Sequence, residues 1–160
     1  ALLALLRARD GRPGHVLHDV EPAERAFKTG AGGLVDIEFA LQMLQLAHAQ
    51  TDPKVLTPST ELGWQRLAEA EIVERSLCDR LLANFGHLRA IEFALRRDTG
   101  RAETCLPADP ADMEAVARWL GIPDREAFWR HHCERMGETR RLVTGVLLGV
   151  ATSTALEGHR

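Results

Sequence analysis

Lys28, Gly30, Gly32, Gly33, Asp36 and Glu38 crowd into one stretch, KTGAGGLVDIEFALQ, running from Lys28 to Gln42. Glycines at the mouth of a helix permit a tight, positive-φ entry that leaves backbone N–H groups free, and such a nest beside a lysine can hold a phosphate. Asp36, in the first turn, complements the same exposed N–H groups and the positive end of the helix dipole. The spacing is not that of a Walker A loop, in which the lysine directly follows the last glycine and is itself followed by Ser or Thr. The plain alternative is a tight turn leading into a packed helix.

At about 100° per residue, the helix that starts at Leu34 places Glu38, Gln42 and Gln45 in one narrow stripe, while Asp36 points elsewhere. Most of its other residues are Leu, Val, Ile, Phe, Met or Ala. A helix apolar on nearly every side is expected to be buried, so its polar stripe must be hydrogen-bonded or face a wet cleft. Glu38 then either serves such a cleft or pairs with a core arginine such as Arg89. Arg89, Glu92 and Arg96 share a helix face at i, i+3 and i+7, the spacing of a surface ion-pair ladder, with a role in an active cleft as the alternative. His131, His132 and Cys133 are consecutive. On a helix they point three ways and cannot jointly bind one metal, and His15 and His18 lack a second pair of ligands.

The elements that position these residues read as helices. The first runs from Leu34 for about four turns to the TDPK turn at Pro53. Ser59 is the expected N-cap of a second helix reaching Ala70. Leu77, Leu81, Phe85, Leu88, Ile91 and Leu95 form one apolar stripe along a long helix from about Glu74 to Arg97. After the LPADPAD connector, Asp109 or Pro110 opens a short helix carrying Met113, Val116, Trp119 and Leu120, stopped by Gly121. The last helix runs from Asp124 towards Val150, taking in LVTGVLLGV, which is β-branched enough for a strand but has no partner strand. Ahead of these lie a helix over residues 1–9 and a possible short strand at Val16 to Val20. The expected fold is therefore an all-α, antiparallel bundle of five to six helices over residues 28–160, preceded by an irregular leader at residues 1–27.

The totals agree with such a bundle. The chain has 160 residues, 45% hydrophobic and 27% charged, with a net charge of −3. That size and balance suit one globular domain. No apolar run approaches the length needed to cross a bilayer, and ALLALLRARD lacks the basic region and cleavage site of a signal peptide. Cys78, Cys105 and Cys133 are odd in number and far apart, as in a reducing compartment. The chain reads as soluble and cytoplasmic, with neither nucleic acid nor membrane as a partner.

KTGAGGLVDIEFALQMLQLAHA resembles the segment that follows the nucleotidyltransferase core in the glutamine synthetase adenylyltransferase family. Further along, LRAIEFALRRDTGRAETCLPADPADMEAVARWLG is similar to that family's long helix, Thr-x-Leu-Pro connector and Leu-Gly helix, with Cys105 between Thr104 and Leu106. The likeness covers about Phe27 to Leu148. It implies a helical domain of a bifunctional enzyme that transfers AMP from ATP to glutamine synthetase and removes it again, and GGLVDIEF looks more like the adenylylating half. The related uridylyltransferase of the PII signalling protein shares Gly-Gly-Leu-x-Asp and is the alternative within the superfamily; a purely regulatory interaction bundle is the alternative outside it.

Nucleotidyltransferases of this kind need a Gly-Ser turn and an Asp-x-Asp pair to bridge metal ions to phosphates, and the sequence contains neither. The chain alone is therefore not expected to catalyse, nor to bind a cofactor tightly. What the resemblance implies is a loop facing a neighbouring nucleotidyltransferase domain charged with ATP and magnesium. Lys28, Gly32 and Gly33 would meet the triphosphate, and Asp36 or Glu38 would orient the lysine, a metal-bound water or an arginine. Glutamine synthetase, and the PII protein as a further candidate, are the implied protein partners.

Overall fold

A computed structural model describes residues 24–157. The helix expected at residues 1–9 and the strand at Val16 to Val20 lie outside the described residues. Five α-helices follow one another: α1 (Leu34–His48), α2 (Thr60–Glu69), α3 (Arg75–Thr99), α4 (Pro110–Trp119) and α5 (Arg125–Glu157), with a 3-10 turn at Pro53–Val55 between the first two. Among the described residues there are no strands, and LVTGVLLGV continues α5.

The boundaries have local causes. Ser59 Oγ accepts the Leu62 N–H at 3.3 Å and caps α2. Asp109 caps α4, its Oδ1 accepting from the Ala111 and Asp112 amides at 2.8 and 3.2 Å, while Pro110 takes the first helical position, where its missing N–H costs nothing. Gly100 ends α3 at φ +68° and Gly121 follows α4 at φ +71°, both in the left-handed region that favours glycine.

The expected stripe of α3 is the spine of the core: Leu81, Leu88 and Ile91 are buried against Trp64 of α2, Ile37 of α1 and Phe128 of α5. Helices α3 and α5 run antiparallel, since Arg80 reaches Glu138, Asn84 reaches Arg135, and His87 lies against Phe128. Helix α1 packs on α2, α3 and α5. Its outer side stays open, with Val35, Phe39, Gln42 and Leu46 exposed. The expected burial therefore holds on the three sides that face neighbours, and the fourth carries Val35, Phe39 and Leu46 together with Gln42 of the polar stripe.

Candidate functional site

The loop before α1 is built by close backbone contacts. Gly32 adopts φ +81°, and a Cβ placed there would stand 2.0 Å from the Met136 carbonyl oxygen of α5. A Cβ at Gly33 would meet the Phe27 carbonyl oxygen at 2.6 Å. Glycine is needed at both places, first for conformation and then for room. Phe27, the last residue of the expected leader, is fully buried in the core.

The segment ahead of the loop is tied to the Leu-Pro connector. The Leu106 N–H donates to the Arg25 carbonyl at 2.8 Å, Arg25 Nη1 donates to the Leu106 carbonyl at 2.8 Å, and the Lys28 N–H reaches the Thr104 carbonyl at 3.3 Å. The two stretches singled out by sequence thus form one structural unit.

The free N–H groups expected at the glycines are not there. Gly30 N–H donates to the Ala26 carbonyl and Gly33 N–H to the Gly30 carbonyl, while Gly32 N–H donates to Asp36 Oδ2 at 2.6 Å. The first amides of α1, at Leu34 and Val35, donate to the Phe27 and Lys28 carbonyls at 3.3 and 3.0 Å. The folded-back loop supplies its own acceptors, and Asp36 is the anion that the nest holds. A helix start normally leaves such donors unsatisfied; here the chain has already filled them.

Lys28 points the other way. Its Nζ lies 2.9 Å from Glu92 Oε1 of α3, a carboxylate also gripped by Arg89. Burial pushes the Glu92 carboxyl up, but the hydrogen bond from Lys28 and the charges of Arg89, Lys28 and Arg96 outweigh it and hold the group below its ordinary range. Of the ion-pair ladder expected on α3, the Arg89–Glu92 rung therefore exists and turns inward to meet the loop, while Arg96 acts on Glu92 only through its charge. Arg89 pairs with Glu92 and not with Glu38, which is half-buried and makes no ion pair or side-chain hydrogen bond among the described residues.

The polar stripe of α1 divides. Gln45 is buried, its Nε2 donating to the Val55 and Thr57 carbonyls at 2.8 and 3.1 Å, and so it fixes the connection to α2. Gln42 is exposed. Around the loop edge, then, Lys28 and Glu38 remain accessible in part, Asp36 is engaged with Gly32, and Gly32 and Gly33 are inside.

A second polar group joins α3 to α5. Arg80 and Asn84 both donate to Glu138, Asn84 Oδ1 accepts from Arg135, and Arg135 Nε donates to His131 Nε2 at 2.8 Å. His87 and His132 lie beyond, their ring centroids 5.8 Å apart. Neither ring nitrogen of His132, nor Nε2 of His87, has a hydrogen-bond partner among the described residues. Burial, and then the neighbouring charges, lower His87 to about 4 and His132 to about 3. The consecutive histidines are packed groups, and among the described residues no three His, Cys, Asp or Glu side chains gather as a metal site. No described helix is long and apolar enough to cross a membrane.

A family model described as GlnD PII-uridylyltransferase matches residues 2–147. The chain belongs to that family. Curated relatives carry the name bifunctional glutamine synthetase adenylyltransferase/adenylyl-removing enzyme. The one from Mycobacterium tuberculosis (strain ATCC 25618 / H37Rv) is 40% identical over 60% of this chain and 10% of its own length. That from Streptomyces avermitilis is 33% identical over 68% of this chain and 11% of its own length. That from Nocardia farcinica is 37% identical over 65% of this chain and 10% of its own length. The chain thus spans about a tenth of the curated relatives it matches, and it is a helical domain of this adenylyltransferase-containing family, as the resemblance of the glycine loop and the Leu-Pro connector implies.

Two features of the site were not foreseen from sequence: Glu92 as the partner of Lys28, and the backbone pairing of residues 25–28 with 104–106. The first had a signal in Glu92 standing next to Ile91, at the inner edge of the core stripe. The second had none, because backbone pairing leaves no mark in residue type.

Proposed function

We propose that this chain serves as the helical domain beside the nucleotidyltransferase core of a glutamine synthetase adenylyltransferase, and that the open side of α1 is where that core docks. Val35, Glu38, Phe39, Gln42 and Leu46 share an arc of about 100° on the helix. Its apolar members are exposed, Leu46 at 72%, and the Val35 amide is bonded to Lys28, so the stripe runs into the loop. An apolar stripe of this kind marks a surface that something covers. That stripe, on a chain similar to a tenth of much longer adenylyltransferases, is the observation that carries the reading.

The residues present set what the domain contributes. Gly32, Gly33 and Asp36 hold the loop rigid, and Lys28 is the loop residue able to reach a phosphate, by exchanging Glu92 for it. Glu38, which makes no ion pair or side-chain hydrogen bond among the described residues, would orient Lys28 or an arginine of the docked core. ATP, magnesium and the acceptor glutamine synthetase are handled by the part of the protein that carries the Gly-Ser and Asp-x-Asp residues. When bound, the metal neutralises triphosphate charge, and this domain's share is positioning.

The test uses the full-length protein with Phe39→Glu and Leu46→Glu together, and separately with Lys28→Glu. Incorporation of labelled AMP into glutamine synthetase is expected to fall about tenfold or more in each, a loss of over about 1.4 kcal/mol of transition-state stabilisation. Unaltered incorporation in both variants refutes the docking face. Incorporation of UMP into a PII protein, in place of AMP into glutamine synthetase, refutes the assignment of activity.

A further inference from the structure

Arg89, Phe93, Arg96 and Arg97 recur along α3 at helical spacing and share an arc of about 100°. Phe93 is 60% exposed, and Trp119, the last residue of α4, is 37% exposed. Their ring centroids lie 5.6 Å apart at an interplanar angle of 40°, and Arg97 Cζ stands 5.5 Å from the Trp119 centroid. Two helices thus build one aromatic ledge with guanidinium groups along it. Aromatic residues and arginine are the types enriched at the energetic centres of protein interfaces.

The charges on this ledge are unbalanced. Glu92, at one edge, is taken by Lys28 and Arg89, and Asp98 is taken by Arg97. The Arg96 side chain makes no ion pair or hydrogen bond among the described residues, and Glu92, on which its charge acts from farther off, is already met by Lys28 and Arg89. The ledge therefore offers unpaired positive charge on a chain whose net charge is −3. A continuous phosphate backbone laid along it would meet the carboxylates of Glu92 and Asp98 set between the arginines. Separate carboxylates, carried on a polypeptide, can fall between them.

The geometry points to the ledge of Phe93, Arg96, Arg97 and Trp119 as a docking site for an acidic protein segment that carries an apolar anchor. The aromatic rings receive the anchor, and the planar guanidinium of Arg96 donates two N–H groups to a carboxylate. The ledge uses residues of α3 and α4, apart from the open stripe of α1, and stands whether or not that stripe docks a catalytic core.

The three tryptophans of the chain make the test direct. The chain, labelled with ¹⁵N at its indoles, is titrated with a synthetic peptide of Glu and Asp residues around a central Leu-Phe pair, then with the same peptide carrying Gln and Asn instead. The acidic peptide is expected to shift the Trp119 indole resonance, assigned by Trp119→Phe, and to leave those of Trp64 and Trp129 in place. Arg96→Glu is expected to weaken binding about fivefold or more, and Phe93→Ser to do likewise, through different halves of the site. Both side chains are exposed, and retained helical circular dichroism verifies folding. No shift of Trp119, an equal shift with the amide peptide, or an equal or stronger shift with an oligothymidylate of the same charge overturns the proposal.

Discussion

Lys28 Nζ lies 2.9 Å from Glu92 Oε1 across a sequence separation of 64 residues, so a single ion pair ties the entrance of α1 to the middle of α3. Glu92 is nearly buried, and its second oxygen is held by Arg89. Removing either partner strands charge in a poorly solvated place, which costs more than the pair itself contributes.

Lys28→Met is accordingly expected to destabilise the fold by about 1–2 kcal/mol, read from urea denaturation. Combined with Glu92→Gln, the two changes should cost less than their sum, and the difference measures the pair. Because Glu92 is held below its ordinary 4.5 in the folded state, the stability it contributes is present above that pH and lost as pH falls below it. The double variant should have a flatter acid limb. Strict additivity would mean that the contact is energetically idle.

The buried histidines act at a higher pH. Their folded values, about 4 for His87 and about 3 for His132, lie below the ordinary 6.5, so the unfolded chain binds more protons in between. Stability is complete above 6.5 and declines as pH falls towards those values. At about pH 5 each histidine should have withdrawn about 2 kcal/mol. The groups facing this pair are His131 and Arg135 of α5, with Phe128 and Trp129 around the rings. His132→Phe removes two unpartnered nitrogens and should make the chain relatively more stable at about pH 5 than at about pH 7.5, in thermal melts, by a similar amount. An unchanged pH dependence would contradict this account.

Two glycines with left-handed backbones separate conformation from crowding. Gly100, at φ +68°, has open space around it, whereas Gly32, at φ +81°, is pressed on the Met136 carbonyl. Gly100→Ala should cost about 1 kcal/mol, and Gly32→Ala about 3 kcal/mol or more, because the second adds a backbone clash to the conformational penalty. Equal losses in denaturation would show that the contact with α5 relaxes freely.

Gln45→Leu should cost about 1–3 kcal/mol, since it leaves the Val55 and Thr57 carbonyls without their donor. Proteolysis should find the damage at residues 51–57, with the helices resistant.

How much of this was legible depends on the kind of signal. Caps and stops act within a turn, so Ser59, Asp109 and Gly121 announced their helix ends. The stripe from Leu81 to Leu95 announced the core by its period. Glycines 32 and 33 signalled a tight place, but not whether ligand or protein would fill it, because close approach to an α5 carbonyl and close approach to a phosphate ask for the same residue. The exposed side of α1 was hidden for a related reason: Val35, Phe39 and Leu46 have the composition of core residues, and only the number of neighbouring helices decides that they are outside. The recognised motifs supplied the family but not the pairing of Lys28 with Glu92.

The stitching of residues 25–28 to residues 104–106, with Gly32 against Met136, bears on how the bundle assembles. The segment ahead of α1 is among the earliest described parts of the chain to be synthesised, yet its hydrogen-bond acceptors and its wall arrive only with the connector and α5. It must wait, and its closure is a long-range step of the sort that slows folding. A chain cut short before α5 would therefore lose order at its opposite end as well, and trimming this bundle from one side is not a route to a smaller stable domain.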